Sequence, residues 1–436
     1  MPTLIPYLII DIAVFATMIV FLVWKCSFWH PLSIYLFFHG YSFTWRVIQL
    51  INGAVPMYGL LGDAIRPEEY ERAILLADVC LIAFAIGAIF AKQHFWKKAQ
   101  HKITRVKASV RIISVISAIC IPVGGVALFV AKTGVAVSSI YAESSYFQVL
   151  NMWPISCLLA LLFVKGFRWF TVLPICLYLA VVGLQGYHRF MMILPLLFMA
   201  AIYLQGKGKK WPTMGMVIIG FSIVLIFPKL KYMGQAFGKG DYETLTTLVK
   251  ESFFLKEEGK SGAKEDVNSE QFLDQYAGAL SMTDEYGKVY WGSTYLAIIT
   301  LPIPRNMWPN KPGLADHTIE ISTSGRQYNI EGRIITYIGE SYLNFRYFGV
   351  MLIPLALGFI LTYWCYVATE GPWLRLNRYV YAVAFMAFIQ LFRDGLLSLV
   401  LFTMVHNLPL FFMWIAHKVA GRRLLVDDQP SGRLTS

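Results

Sequence analysis

Charged residues are scarce in this chain. Asp, Glu, Lys and Arg make up 15% of the 436 residues, hydrophobic residues make up 57%, and the mean hydropathy is +0.56. A water-soluble globular chain of this length does not need so large an apolar fraction to fill its core. The composition therefore excludes an ordinary soluble protein and indicates that the bilayer is the solvent.

The familiar signatures of soluble enzymes are also missing. The sequence has no Walker loop, no Rossmann glycine fingerprint, no HExxH and no GxSxG, so ATP-driven transport, nicotinamide chemistry and metalloproteolysis lose support. It has no DxD that would hold a metal-bound nucleotide sugar. The six cysteines lie in or beside apolar runs without CxxC or zinc-site spacing, which predicts packing residues. These absences favour a substrate that is already activated and already in the lipid phase.

The net charge of +12 does not indicate nucleic acid, because the basic residues lie mostly in short loops between apolar runs. Two such loops, 92–107 and 207–210, carry lysine and arginine without an acidic residue, which predicts that both are cytoplasmic. Alternation from these loops places the N-terminus outside. It also places residues 228–346 outside and the tail 418–436 inside.

Eleven apolar runs are long enough to predict transmembrane helices, since about 20 apolar residues span the hydrocarbon core. The first run lacks a basic n-region and a small-residue cleavage site, so we expect a retained helix. The three shortest runs leave counts of ten or twelve open. The predicted spans are 4–24, 32–51, 73–90, 112–130, 149–164, 169–184, 190–204, 212–227, 347–367, 379–392 and 396–416.

This pattern divides the chain into four parts: helices 1–8 in residues 1–227, a large external loop in 228–346, helices 9–11 in 347–417, and a cytoplasmic tail in 418–436. Within the loop, residues 239–285 are polar and mixed in charge, which predicts a solvated excursion. Residues 289–301 are apolar and aromatic but too short to span. This pattern predicts an interfacial or re-entrant helix.

The segment LPIPRNMWPNKPG follows, and its four prolines present Arg305, Trp308 and Lys311 from a stiff, non-helical backbone. Such rigidity suits a binding edge. The alternative is a proline-rich turn with Trp308 anchored at the membrane interface. The spacing by itself leaves both interpretations open.

Further polar groups gather at the same predicted face, where an ionisable side chain at the hydrocarbon edge is costly unless it is paired or solvated. Asp394 is a candidate partner for Arg393, which would give that arginine a structural role. Guanidinium forks match phosphate oxygens, which predicts a lipid pyrophosphate as the bound anion, and aromatic rings such as Tyr342 offer faces to sugars. The additional candidates are His188, Arg189, His317, Arg326, Arg333, Glu340 and Arg393.

Two stretches resemble a known family. PRNMWPNKP and GESYLNFRYFG, together with the loop-edge arginine Arg189 and the FRDG turn, are similar to the Wzy-type O-antigen and oligosaccharide repeat-unit polymerases. The likeness covers the C-terminal half best, and the N-terminal helices match only in hydropathy. Arg346 and Tyr347 stand where the family often has NFG, which places an extra cation at the helix entrance.

The resemblance implies an all-α, GT-C-like enzyme of the bacterial inner membrane with a periplasmic active site. Its donor and acceptor would both be undecaprenyl-pyrophosphate-linked oligosaccharides, and a chain-length regulator is an expected partner. Fixed cations would stabilise the departing pyrophosphate, a role implied for Arg189, Arg305, Arg326, Arg333 and Arg393 with support from Lys311. Glu340 or His317 would act as the base for the acceptor hydroxyl, with Glu340 preferred. An ion pair of Glu340 with Arg333 or Arg346 is the structural alternative, and the scheme needs no metal or cofactor.

Three other functions stay open at this stage. An O-antigen ligase shares the lipid-linked donor, the external loop and the arginines, but it transfers glycan to lipid A core. A transporter or flippase would line a midplane cavity with charge and show internal repeats, whereas the candidates noted above gather at one rim and no repeat is visible. A membrane scaffold would tolerate loss of the loop arginines.

Overall fold

A computed structural model describes most of the predicted helices and part of the external loop. The described residues are 1–54, 65–98, 109–132, 150–184, 190–207, 209–218, 272–300, 303, 307–308, 335–369, 375–400, 403 and 407–421. Within these residues the secondary structure is helical, and no strand occurs there. The all-α class predicted from the sequence is therefore confirmed for the described part of the chain.

Four described helices are long and apolar enough to cross a membrane: Pro2–Lys25, Pro67–Phe95, Val110–Leu128 and Thr336–Thr369. Shorter apolar helices occupy Trp153–Lys165, Trp169–Val182, Pro195–Leu204 and Leu408–His417. Length and composition thus indicate a membrane protein. The count of eleven spans and the GT-C arrangement stay predictions, and the eighth predicted span, 212–227, is described only to residue 218.

The chain divides into two compact units. Unit 1 comprises Met1–Gln100, Lys260–Tyr366 and Ala387–Phe402, and unit 2 comprises His101–Gly259, Val367–Met386 and Thr403–Ser436. The helices of the described residues, in chain order, are α1 Ile5–Lys25, α2 Pro31–His39, α3 Trp45–Ile51, α4 Pro67–Lys98, α5 Val110–Lys132, α6 Trp153–Lys165, α7 Trp169–Leu184, α8 Phe190–Gly206, α9 Phe272–Tyr286, α10 Ser293–Thr300, α11 Thr336–Thr369, α12 Arg375–Asp394, α13 Leu396–Val400 and α14 Leu408–Gly421.

In unit 1, α4 packs against α1, α2 and α9. It also approaches α11 closely, because a Cβ added to Gly87 would lie 2.0 Å from the Leu355 carbonyl oxygen and one added to Gly358 would lie 2.1 Å from that of Phe84. Small residues at such a crossing let two backbones meet, which is a common way for membrane helices to associate. The two glycines therefore bring α4 and α11 together.

In unit 2, α5 packs against α6, and α14 packs against both. Tyr379 on α12 lies in the same core, where its hydroxyl donates a hydrogen bond to the Ser156 carbonyl oxygen at 2.6 Å. Rings of Phe163 and Phe198 surround it at centroid distances of 5.4 and 5.2 Å. The buried hydroxyl thus has an acceptor, as a phenol in an apolar core requires.

The second predicted span, 32–51, is helical but not regular. A π-helix, Gly40–Thr44, separates α2 from α3. Such one-turn insertions widen the helix and occur often at functional sites. The π-helix follows directly after His39, the last residue of α2.

The prediction of a solvated excursion over 239–285 is wrong for its last part. Residues from Phe272 onward form α9, which packs against α4, and Leu273, Tyr276 and Leu280 are each at most 1% exposed. Their spacing of three and four residues is that of a helical apolar face. Polar neighbours in the sequence obscured this pattern. The predicted interfacial segment over 289–301 contains a helix, the short α10.

One predicted span boundary also differs. The ninth span, predicted over 347–367, continues back to Thr336 across a break at Phe345 and Arg346, where the dihedral angles are not helical. The break lies just before the apolar run that begins at residue 347, so hydropathy did not reveal the helix on its other side. The eleventh predicted span, 396–416, contains α13 and α14, and most of the residues between these two helices lie outside the described residues.

Candidate functional site

The structure describes four of the candidate site residues: Glu340, Tyr342, Arg393 and Trp308. Trp308 is 40% exposed. Glu340 and Tyr342 lie on the first part of α11, before its break, and Arg393 lies at the end of α12. The candidates outside the described residues are His188, Arg189, Arg305, Lys311, His317, Arg326 and Arg333.

Glu340 is buried, at 1% exposure, where three segments meet. Its Oε1 accepts a hydrogen bond from the Thr294 hydroxyl on α10 at 3.2 Å. Its Oε2 accepts one from the Leu396 backbone N–H, directly after α12, at 3.0 Å. Among the described residues it forms no ion pair, so the alternative pairing with Arg346 does not occur; Arg333 lies outside the described residues.

The turn that contacts Glu340 requires a glycine. Gly395 has φ of +95°, a conformation that L side chains rarely adopt, and a Cβ added there would lie 2.2 Å from Glu340 Oε2. The GESYLNF helix and the FRDG turn, 56 residues apart, therefore meet at one carboxylate. Both motifs were noted in the sequence, but the contact between Glu340 and the FRDG turn was not predicted.

Asn344 holds α10 against α11 one turn after Glu340. Its side-chain amide donates to the Thr294 hydroxyl at 2.6 Å and to the Glu340 carbonyl oxygen at 2.8 Å. Its own Oδ1 accepts from the Gly292 N–H at 2.9 Å, and its carbonyl oxygen accepts from the Trp291 N–H at 3.1 Å. These bonds orient Thr294 toward the carboxylate, so Glu340 has a supporting shell of hydrogen bonds.

Arg393 pairs with Asp394, which is the partner that the sequence suggested for a structural role of this arginine. Arg393 Nε lies 3.3 Å from Asp394 Oδ1, and the guanidinium carbon lies 5.9 Å from the centre of the Phe272 ring. Burial raises the pKa of Asp394 to about 6, and the adjacent guanidinium opposes that shift. The ion pair holds Arg393 in the turn that contacts Glu340, beside the predicted span 379–392.

A second cluster, which we call the Asp284 cluster, consists of Asp284, Arg72, Arg346 and Tyr342. Asp284 Oδ1 accepts from Arg346 Nη1 at 3.0 Å and from the Tyr342 hydroxyl at 2.6 Å, and Oδ2 accepts from Arg72 Nη1. The two guanidinium carbons lie 5.7 and 5.4 Å from the centre of the Tyr342 ring. Tyr342 is 1% exposed, so its ring is engaged in packing and cation–π contacts. A role in stacking on sugar stays a prediction.

A cavity of about 450 Å³ lies beside this cluster. Its lining has more carboxylates than guanidinium groups, which does not favour a pyrophosphate unless cations from elsewhere in the chain contribute. The lining residues are Arg66, Glu68, Glu69, Arg72, Ser281, Asp284 and Glu285.

Thr294, Arg72 and Asp284 are not among the candidates predicted from the sequence. Thr294 lies within the apolar segment 289–301, and Asp284 lies in the segment that was assigned to solvent. The apolar spacing from Phe272 to Leu280 would have predicted a helix carrying Asp284. No sequence signal indicated that Arg72 would reach it.

Comparison of the chain with protein-family models, with curated proteins and with solved structures found no match. The functional assignment therefore rests on the residues themselves.

Proposed function

We propose that this chain is a membrane glycosyltransferase that polymerises undecaprenyl-pyrophosphate-linked oligosaccharide repeat units at the external face of the bacterial inner membrane. The observation that carries the proposal is the Glu340 site, where a buried carboxylate is held by Thr294 and by the turn after Arg393. A carboxylate placed in this way is oriented by donors and is not neutralised by a guanidinium among the described residues. Such a group suits proton transfer in a water-poor site.

The reaction needs a proton acceptor and an anion site. A hydroxyl of the acceptor sugar forms a bond to the anomeric carbon of the donor glycan, and the bond between that carbon and pyrophosphate breaks with its electron pair on the departing oxygen. Glu340 takes the hydroxyl proton. The fixed hydrogen bonds to Glu340 support this role because they hold its two oxygens in place before the substrate arrives.

Cations must face the departing pyrophosphate, whose negative charge grows in the transition state. Arg393, in the turn that contacts Glu340, is the described candidate for this role. Its guanidinium also pairs with Asp394. The remaining cations of the proposal lie outside the described residues: Arg189, Arg305, Lys311, Arg326 and Arg333.

The test is polymerisation by the purified full-length chain in proteoliposomes, with lipid-linked repeat units isolated from cells that lack it and with lipid A core supplied as an alternative acceptor. Gel ladders and masses of the products are the readout. We expect the wild type to form ladders and Glu340→Gln to lower the rate by roughly 10²-fold or more, since loss of a general base typically costs that much. Glu68→Gln, a change at an exposed acid on α4, is the matched control and keeps the wild-type rate.

Each outcome bears on a different part of the proposal. A near-normal ladder from Glu340→Gln would remove Glu340 as the base. Absence of any ladder from the wild type, with transfer of glycan to lipid A core instead, would identify a ligase. Absence of both products would reject glycosyl transfer.

The proposal also requires the large loop between the eighth and ninth predicted spans, residues 228–346, to face outward. Trp291, 77% exposed, precedes α10 in this loop and is a suitable position for a single cysteine. In a background without the native cysteines, Trp291→Cys is expected to react with a membrane-impermeant maleimide applied from outside. Reaction only after permeabilisation would place the loop in the cytosol and reject the proposal.

A further inference from the structure

Three ionisable side chains that the proposed reaction does not use meet inside unit 1. Asp11 lies on α1, His39 ends α2, and Asp78 lies on α4. Their residues are 0, 0 and 3% exposed. Two of the three lie in helices that are long and apolar enough to cross a membrane, where an ionisable residue is costly and usually functional.

The three groups converge on one point. His39 Nε2 lies 2.7 Å from Asp11 Oδ1 and 3.6 Å from Asp78 Oδ1. One donor atom from each residue lies within 4.8 Å of the others. A zinc ion binds nitrogen and oxygen ligands at about 2.0–2.2 Å, so its ligand atoms are roughly 3.5 Å apart. The pair of His39 and Asp78 already has this spacing, and the pair of His39 and Asp11 would open by only about 1 Å.

Several of the carboxylate oxygens lack a hydrogen-bond donor. Asp11 Oδ2 and both oxygens of Asp78 are buried without a hydrogen-bond partner in the described part of the chain. Buried acceptors are almost always satisfied in folded proteins, and an orphaned buried carboxylate is especially costly. The free oxygens belong to the same cluster, so one cation would satisfy several of them.

The charge balance indicates the class of cation. Two carboxylates with a neutral imidazole carry a charge of −2, and even an imidazolium leaves −1. Among the described residues no lysine or arginine forms an ion pair with either carboxylate. A divalent ion with a neutral imidazole brings the sum to zero, and a mixed imidazole and carboxylate set suits a transition metal better than Ca²⁺ or Mg²⁺.

The surroundings of the imidazole are apolar and well packed. The Phe15 ring stacks on His39 at a centroid distance of 6.2 Å, and the Phe43 ring meets it edge-on at 5.3 Å. The π-helix begins at the next residue, Gly40, and carries Phe43. This packing limits the ring's freedom and excludes water, which strengthens the attraction between a cation and the carboxylates.

From this geometry we propose that Asp11, His39 and Asp78 form an intramembrane binding site for one divalent transition-metal ion of the Zn²⁺ or Mn²⁺ type. The ion joins α1, α2 and α4 of unit 1. The inference is independent of the glycosyl-transfer proposal, because none of the three residues belongs to the Glu340 site or the Asp284 cluster.

The test measures metal on the purified full-length chain. Protein stripped with a chelator is incubated with Zn²⁺ or Mn²⁺ and desalted, and its metal content and apparent melting temperature are measured. We expect about one equivalent retained per chain and a higher melting temperature, because an ion that binds the folded state stabilises it. Asp78→Asn is expected to lower the affinity by at least about tenfold.

The matched control is His94→Gln, which removes an exposed imidazole on the same helix, α4, and leaves the buried cluster intact. This variant is expected to retain the metal. Equal retention by Asp78→Asn and the wild type would overturn the proposal.

A measurement on the wild type alone protects the test against a misfolded variant. Co²⁺ bound by nitrogen and oxygen ligands in the cluster is expected to give visible d–d absorption that Zn²⁺ displaces at an equal concentration. A wild-type chain that retains neither Zn²⁺ nor Mn²⁺ after desalting and shows no such absorption would leave the cluster as a hydrogen-bonded ion pair only.

Discussion

Replacement of Gly395 by alanine is the sharpest perturbation of the Glu340 site. The added Cβ would lie 2.2 Å from Glu340 Oε2, whereas non-bonded atoms in contact are about 3.5 Å apart. The carboxylate must therefore retreat by more than about 1 Å. A retreat of that size breaks the 3.0 Å hydrogen bond from the Leu396 N–H.

Two energetic effects follow from this change. Alanine at φ of +95° costs about 1–2 kcal/mol of backbone strain, and loss of the buried hydrogen bond costs roughly 1–3 kcal/mol more. For catalysis, a 1 Å misplacement of a reacting group costs on the order of 10²-fold in rate. We therefore expect Gly395→Ala to reduce polymerisation by about that factor.

Gly53→Ala is the matched control, because Gly53 has φ of +91° and a Cβ there would meet nothing within 4 Å. It carries a similar backbone strain without the contact to Glu340. Both variants are compared with the wild type by ladder length and rate in proteoliposomes, at equal amounts of inserted protein. If Gly395→Ala polymerises as fast as Gly53→Ala, the reasoning about Glu340 is refuted.

Three further predictions concern charge pairs of unit 1, each measured by the apparent melting temperature in detergent. Asp274→Asn removes the carboxylate that pairs with buried Arg46 at 2.7 Å and should lower the free energy of unfolding by roughly 3–5 kcal/mol. An unchanged melting temperature would contradict this. Arg346→Ala loses its bonds to Asp284 and to two carbonyl oxygens and should cost about 1 kcal/mol, since the pair is partly exposed. A wild-type chain no more stable than Arg346→Lys would show that the guanidinium fork adds nothing. Because the folded pKa of Asp394, about 6, exceeds its ordinary value of 3.8, this group stabilises the fold below pH about 4 and loses that contribution as pH rises through 6, so Asp394→Asn should flatten the pH dependence. An identical pH dependence in wild type and variant would disprove the assignment.

The accuracy of the sequence predictions depended on what held each element in place. The span predicted over 169–184 coincides with α7, because apolar length alone determines such a helix. The burial of α9 was missed because its apolar residues recur only every three to four positions among polar neighbours. The average polarity of the segment therefore predicted exposure to solvent. The break at Phe345 and Arg346 was missed because neither residue is a helix breaker by type.

The candidate site was predicted only in part. Glu340 and Arg393 were selected from their motifs and from their position at the predicted membrane edge. The contact between Glu340 and the turn after Arg393 depends on the folding of three distant segments against each other, which one sequence does not encode in any local pattern. His39 and Asp78 were not selected, although an ionisable residue within an apolar run is itself a signal.

By itself, the sequence indicates a helical membrane protein, since hydropathy over about 20 residues is a local property that the solvent enforces. It also indicates some of the polar residues that are unusual for their surroundings, Glu340 and Arg393 among them. Only the tertiary structure decided which residues meet: Glu340 with the Gly395 turn, Tyr342 with two guanidinium groups, and Asp11 with His39 and Asp78. Such contacts join residues far apart in the chain, and their geometry arises from helix packing, which depends on all the side chains at an interface together.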